Sequence, residues 1–225
     1  LKKYGCSLLY PKDVNSLYFL LEKSYDLLMD LSKIFEIDVN NLHYNIPISF
    51  STLYKNDLTC LKTLVKLGLD LNLENESDNL VSLAIKERNI NFLEYLSNSK
   101  IDFNFVDSFE YTYFHLFLFD DFYIKHSKLV KKFAEKIDVN HQDIIGDTCL
   151  HVIFSAKKYD IYKDILLLKK INLNIVNKEG MKPLDYVDKV SKKKIMLELK
   201  NNIINSNEKE DFKIVKPKIP IFTTF

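Results

Sequence analysis

Leu69-Asp70-Leu71-Asn72 and, further on, Ile101-Asp102-Phe103-Asn104 share one pattern: an apolar residue, an Asp or Asn, a second apolar residue, then Asn. The same signature stands at Ile37-Asp38-Val39-Asn40, Ile137-Asp138-Val139-Asn140 and Ile171-Asn172-Leu173-Asn174. Successive starts lie 32, 32, 36 and 34 residues apart, close to the ~33-residue period of one class of repeat proteins. The chain is therefore read as one supersecondary unit copied along its length. Between signatures the apolar residues keep a helical period. Val14, Leu17, Tyr18 and Leu21 form one stripe, and after a break at Glu22 to Ser24 the residues Leu27, Leu28, Leu31, Ile34 and Phe35 form a second. Each stripe is one helical face. A pair of such short helices cannot bury its apolar side alone, so neighbouring units must stack on a shared core, which predicts an all-α solenoid.

The helix starts narrow the class. Thr148-Cys149-Leu150-His151 follows Gly146-Asp147, Thr112-Tyr113-Phe114-His115 stands one unit earlier, and Ile46-Pro47-Ile48-Ser49 and Lys182-Pro183-Leu184-Asp185 place a proline at an equivalent start. Proline suits a first helical turn, where its missing N–H has no partner to lose. These starts resemble the Thr-Pro-Leu-His motif of the ankyrin repeat, over most of Val14 to Asn201 and some six units. There are departures. Asn79-Leu80-Val81-Ser82 keeps only Ala84 of the pattern, and Phe117 and Ile153 stand where a small Ala is usual, so wider packing is expected there.

The resemblance implies about six helix-turn-helix repeats with β-hairpin fingers after each signature, here Phe105 to Tyr111, His141 to Asp147 and Ile175 to Met181. Gly146 and Gly180 would supply the left-handed residue of the finger. Glu110 and Asp78 hold the corresponding places elsewhere, and those fingers are expected to be less regular. The resemblance also implies that His115 and His151 are buried structural residues bonded to neighbouring backbone. Partners of ankyrin arrays usually dock on the fingertips and first helices. Carried over by position, that surface comprises Tyr44, Leu53, Tyr54, Phe109, Tyr111, Phe119, Asp120, Asp121, Ile144, Ile145, Asp147 and Ser155.

Composition supports binding rather than chemistry. The stretch from Ile101 to Ile124 has five acids, no Lys or Arg, and ten Phe or Tyr. An acidic aromatic surface suits a partner protein or peptide carrying basic residues beside apolar anchors; the competing reading makes most of these aromatics core. Overall charge is balanced at +1, and Arg88 is the one arginine, so no nucleic-acid partner is expected. Four Gly leave little for phosphate-binding loops. No GxSxG, GxGxxG or metal-ligand spacing occurs, so no catalytic residue, cofactor or metal is expected. Asp120 and Asp121 are adjacent, and neighbours on a helix point about 100° apart, unlike a catalytic dyad. Lys192-Lys193-Lys194 reads better as a solvated helix face than as a basic recognition element.

Cys6, Cys60 and Cys149 are odd in number and far apart, which predicts reduced thiols and an intracellular, cytoplasmic or nuclear, setting. No apolar run approaches the ~20 residues of a membrane span. Leu1 in place of Met suggests part of a longer protein. The repeats are assigned to residues 1–204 and an extended tail or linker to 205–225. In that segment Phe212 to Phe225 is apolar around Lys216-Pro217-Lys218-Ile219-Pro220, and a cap on the last unit, a linker and a docking peptide are the open readings. The expected function is a non-catalytic protein-interaction module. A regulatory domain of a transcription or chromatin complex and a viral or pathogen protein acting on host factors are the alternatives, with an enzyme last.

Overall fold

The computed structural model describes residues 25–33, 38–40, 46–119, 122–158 and 171–198. The stripe at Val14 to Leu21, the residues Cys6, Tyr44, Asp120 and Asp121, and the segment 205–225 lie outside them. The described residues are helical, without strands: α1 (Tyr25–Ser32), α2 (Ile48–Tyr54), α3 (Leu58–Lys66), α4 (Leu80–Lys86), α5 (Ile90–Ser97), α6 (Tyr113–Leu118), α7 (Phe122–Ala134), α8 (Cys149–Ser155) and a 3-10 turn at Pro183–Tyr186. The chain is helical again from 189 to 198.

Helices pair within a unit, α2 with α3, α4 with α5, α6 with α7, and the pairs stack. First helices contact first helices, α2 on α4, α4 on α6, α6 on α8 and α8 on the 3-10 turn; in the second layer α1 meets α3 and α5 meets α7. Leu61, Leu64, Leu80, Phe92, Leu93, Phe114, Phe117, Phe133, Ile153 and Phe154, all fully buried, fill the space between layers. Phe117 and Ile153, in the small-residue places, are accommodated rather than excluded. Phe117 meets Phe133 edge-on with ring centroids 5.3 Å apart, and Phe133 also takes Phe103 at 5.7 Å and Tyr113 at 6.2 Å in edge contacts.

The signature's polar residues form a ladder. Asp38, Asp70, Asp102, Asp138 and Asn172 each accept, through Oδ1, the N–H of the residue two positions on, at 2.8–3.0 Å. The Asn then reaches the next unit: Asn40 Oδ1 accepts from Asp70 N at 2.7 Å, Asn72 from Asp102 N at 2.6 Å and Asn140 from Asn172 N at 2.8 Å. Short polar side chains are required because the acceptor must reach a backbone N–H without burying a long stem. Across the 36-residue interval Asn104 does not reach Asp138. Lys136 bridges there instead, donating to the Ser97 carbonyl at 2.9 Å with its ammonium 4.6 Å from the Phe103 ring centroid.

First helices end without glycine. Asn56, Arg88 and Lys157 take positive φ of 52°, 55° and 56°, and the next N–H turns back to a carbonyl five residues earlier, Asp57 to Thr52 (2.7 Å), Asn89 to Ala84 (2.9 Å) and Lys158 to Ile153 (3.0 Å). Asp57 and Asn89 then cap the second helices, accepting from Cys60 N and Phe92 N.

Candidate functional site

Among the described residues the exposed tips are Asx-closed turns. Oδ1 of Asp107 accepts from Phe109 N and Tyr111 N, that of Asp143 from Ile145 N and Asp147 N, and that of Asn177 from Glu179 N and Met181 N, all within 2.9–3.1 Å. The backbone closes the same three turns, Asp107 N to Tyr111 O, Asp143 N to Asp147 O and Asn177 N to Met181 O. The expected β-hairpins are not seen among the described residues, where pairing is limited to single bridges such as Val106 with Thr112 and Glu74 with Asn79. Turns this short satisfy their N–H groups through the Asx carboxylate or amide and leave no second residue pair for a ladder.

Regularity also differs from expectation. Glu110 adopts φ 60° in the place that Gly146 (φ 85°) and Gly180 (φ 78°) fill, and its N–H closes on Asp107 O at 2.9 Å as theirs close on Asp143 and Asn177. The Glu110 turn is therefore regular. The turn at Asn75 is the irregular one. Asn75 Oδ1 accepts from Ser77 N and Asp78 N, and Asn75 N donates to Asp78 O, so this turn is one residue shorter and Asp78 has no left-handed role.

The helix starts beneath the tips are capped by their third residue. His151 Nδ1 accepts the Thr148 N–H at 3.0 Å, which leaves Nε2 to donate to Met181 O at 3.0 Å, tying one unit to the next turn. His115 repeats the first half, Nδ1 lying 2.9 Å from Thr112 Oγ1 and 3.4 Å from Thr112 N, but its buried Nε2 has no hydrogen-bond partner, nor does Nε2 of His141. Their rings stand 6.5 Å apart. Burial pushes His115 down to about 4, outweighing the upward pull of Asp143. In the divergent unit Asn79 and Ser82 replace Thr and His, Asn79 accepting from Val81 N and Ser82 N and Ser82 Oγ from Asn79 N. Asn79 also donates to the Tyr113 hydroxyl at 2.6 Å.

On this frame stands an exposed apolar patch. Phe109 (55% exposed), Phe119 (54%), Ile144 (43%) and Ile145 (57%) are large apolar residues left exposed on two neighbouring units. Half-buried Tyr111 joins them, its ring 5.8 Å from Phe109 and 4.8 Å from Phe119. Successive tips are hydrogen-bonded: Ile144 N donates to Phe109 O at 3.1 Å and Lys178 N to Ile145 O at 3.0 Å. Burial, then Asp143, Asp107 and Asp147, push the Tyr111 phenol up; Asp143 is itself buried, and its carboxylate, like that of Asp107, is engaged by the amides of its own turn. Lys178 and Lys158 stand at its margin, their ammonium groups on the Ile144 and Leu118 carbonyls at 2.7 Å.

Other expected site residues scatter. Leu53 is 3% exposed and belongs to the core: it lies on the buried side of α2, one position from Tyr54, which is 64% exposed. Ser155 is exposed at the end of α8, its hydroxyl donating to Val152 O. Half-buried Asp147 accepts from Asn177 at 2.7 Å and so also braces the next turn. Sequence reasoning counted Asp107 only among the acids of its stretch and missed Asp143, Asn177 and Lys178, although the three Asx residues recur at the unit spacing. An open depression of about 370 Å³ lined by Asn56, Leu58, Lys62, Asn91, Glu94 and Tyr95 lies elsewhere, between α3 and α5.

Cys60 and Cys149 are buried free thiols, each pushed up to about 12 by burial, and neither is a thiolate nucleophile. Among the described residues no cluster of three His, Cys, Asp or Glu could hold a metal, and no helix is long and apolar enough to cross a membrane.

No protein-family model matches this chain. In an alignment of 166 residues that covers 63% of this chain, it is 25% identical to a protein of Acanthamoeba polyphaga mimivirus whose name describes an ankyrin repeat protein. It spans 21% of that relative's length. This is a distant ankyrin-like relationship.

Proposed function

We propose that the chain is an ankyrin-repeat array acting as a non-catalytic interaction module, with a partner protein or peptide held on the tip patch of Phe109, Tyr111, Phe119, Ile144 and Ile145. The observation that supports the reading is the set of large apolar side chains left exposed on neighbouring units, Phe109, Phe119, Ile144 and Ile145, with the Tyr111 ring in contact with the first two. Phe109, Phe119, Ile144 and Ile145 are exposed rather than part of the core, and clustered exposed apolar side chains mark interaction sites. The surrounding acids favour a partner whose apolar anchors are flanked by Lys or Arg. The distant viral relative favours one specific form of this reading, a viral protein that engages a host factor.

The test is affinity capture with the intact chain, followed by titration of the captured partner. Phe109→Ala and Ile145→Ala should each cost roughly 1–3 kcal/mol of binding with an unchanged far-UV circular dichroism spectrum. Asp120→Lys with Asp121→Lys should chiefly slow association and weaken its salt dependence. Wild-type affinity in all these variants would place binding elsewhere, and a partner that is not host-encoded would remove the viral form alone.

A further inference from the structure

Charge is balanced over the whole chain but not along the second layer of helices. α1 carries Asp26 and Asp30 and no lysine, α3 carries Lys62 and Lys66, and α5 has Glu94 as its one charged residue. α7 differs, with Lys125, Lys128, Lys131 and Lys132 among 13 residues and no acid. All four lysines are exposed, and among the described residues none of their ammonium groups is paired with a carboxylate. Leu129, Val130, Phe133 and Ala134 turn the other side of this helix into the core. We propose that the lysine face of α7 is a second docking surface, made of other residues than the tip patch, and that its partner is an acidic protein segment with closely spaced Asp or Glu.

Helix electrostatics account for part of the pattern. Lys131 and Lys132, in the last turn, offset the negative C-terminal end of the helix dipole, but Lys125 and Lys128 lie too far from that end. His126, at φ −129° and ψ 33°, kinks the helix between Lys125 and Lys128, so the compact cluster is Lys128, Lys131 and Lys132. Like charges at i,i+3 and i,i+4 destabilise a helix, and these three lie within about 6 Å along its axis, with exposed Glu135 only beyond them. An acidic segment relieves that repulsion and supplies the complementary charge, which speeds encounter and makes binding sensitive to salt. The same observations choose among polyanions. The exposed residues described on α7 are all lysines, so neither an aromatic platform for bases nor an apolar wedge for a lipid surface stands among them. Lysine also lacks the guanidinium fork that grips a phosphate at two points.

The experiment uses the full chain and a fluorescein-labelled synthetic peptide of about twelve glutamates, read by fluorescence anisotropy at low salt. Lys128→Gln, Lys131→Gln and Lys132→Gln together should weaken the peptide at least tenfold, with far-UV circular dichroism unchanged. Lys189→Gln, Lys193→Gln and Lys194→Gln remove the same charge from exposed lysines of the last described helical stretch, and should change the affinity less than twofold. Equal weakening in the two triple variants overturns the proposal, because net charge rather than a surface is then what binds. Parent affinity in the α7 variant overturns it too. Lys128→Gln alone, expected to weaken the peptide about threefold, carries the test if the triple variant loses helicity, and no effect there is a refutation. A 20-nucleotide DNA strand and phosphatidylserine vesicles, matched in charge, should compete at least tenfold less well than unlabelled peptide. Better competition by the DNA replaces the acidic segment with a nucleic acid, and better competition by the vesicles replaces it with a membrane; either result overturns the proposal. Phe109→Ala with Ile145→Ala should leave the peptide affinity within twofold, and a tenfold loss there would place the peptide on the tips instead.

Discussion

Glu110 and Gly146 occupy the same place in successive turns, one at φ 60° and the other at φ 85°. A left-handed backbone costs an L-residue about 1–2 kcal/mol, and glycine escapes that cost at some loss of unfolded-state entropy. Glu110→Gly should therefore gain up to about 1 kcal/mol. Gly146→Ala goes the other way, because a Cβ there would lie 2.8 Å from Lys178 N and 3.0 Å from Asn177 Cα, backbone atoms that cannot step aside. A loss of about 1–3 kcal/mol is expected, and urea titration of both variants checks the opposite signs. His115 adds a pH dependence. Its ring is held neutral, at about 4 against the ordinary 6.5, so the unfolded chain binds the extra proton. Stability from this residue is complete above about pH 6.5 and is lost as pH falls from there toward 4. Between pH 6.5 and 5 the loss should be of the order of 2 kcal/mol, and His115→Ser, which copies the Ser82 arrangement, should flatten it in the same titrations.

At the scale of elements, the Asn ladder separates residues that look alike. Asn72 accepts from Asp102 N at 2.6 Å, while Asn104 has no matching rung to Asp138. Asn72→Ala should cost about 1 kcal/mol and Asn104→Ala close to nothing, again by urea titration. Helix pairing and the ladder positions were legible in the sequence because each signature repeats the same donor and acceptor types at nearly constant spacing. Three features were not. The spacing of whole units says nothing of where inside a unit a residue is lost, so the shortened turn at Asn75 was hidden. Asn56, Arg88 and Lys157 carry no glycine to mark a left-handed helix end. Leu53 was placed on the surface by repeat alignment, which fixes a residue within one or two positions, and on a helix one position is a rotation of about 100°.

At the scale of the whole molecule, the main helix contacts among the described residues run between neighbouring units, so stability is a chain of local interfaces rather than one core. Phe133 is the sharpest test, since Phe103, Tyr113 and Phe117 all pack on it. Phe133→Ala should cost about 3–5 kcal/mol. It should also split denaturant unfolding into two steps or lower its slope, as the units on either side lose their coupling. The exposed tips were partly legible on the same basis: Phe109, Phe119, Ile144 and Ile145 could be foreseen as exposed apolar residues, whereas the tip-to-tip hydrogen bonds that link successive turns are announced by no residue type.

Those turns already engage their own amides. The N–H groups of Phe109, Glu110, Tyr111, Ile144, Ile145, Gly146 and Asp147 all donate within the protein, and the Phe109, Ile144, Ile145 and Gly146 carbonyls all accept. Most main-chain groups of these two tips are therefore already paired, which leaves little for an added strand. A peptide bound here as proposed would be recognised mainly through side chains, so N-methylation of its backbone, or a change in its chain direction, should be tolerated wherever the spacing of its anchors is kept.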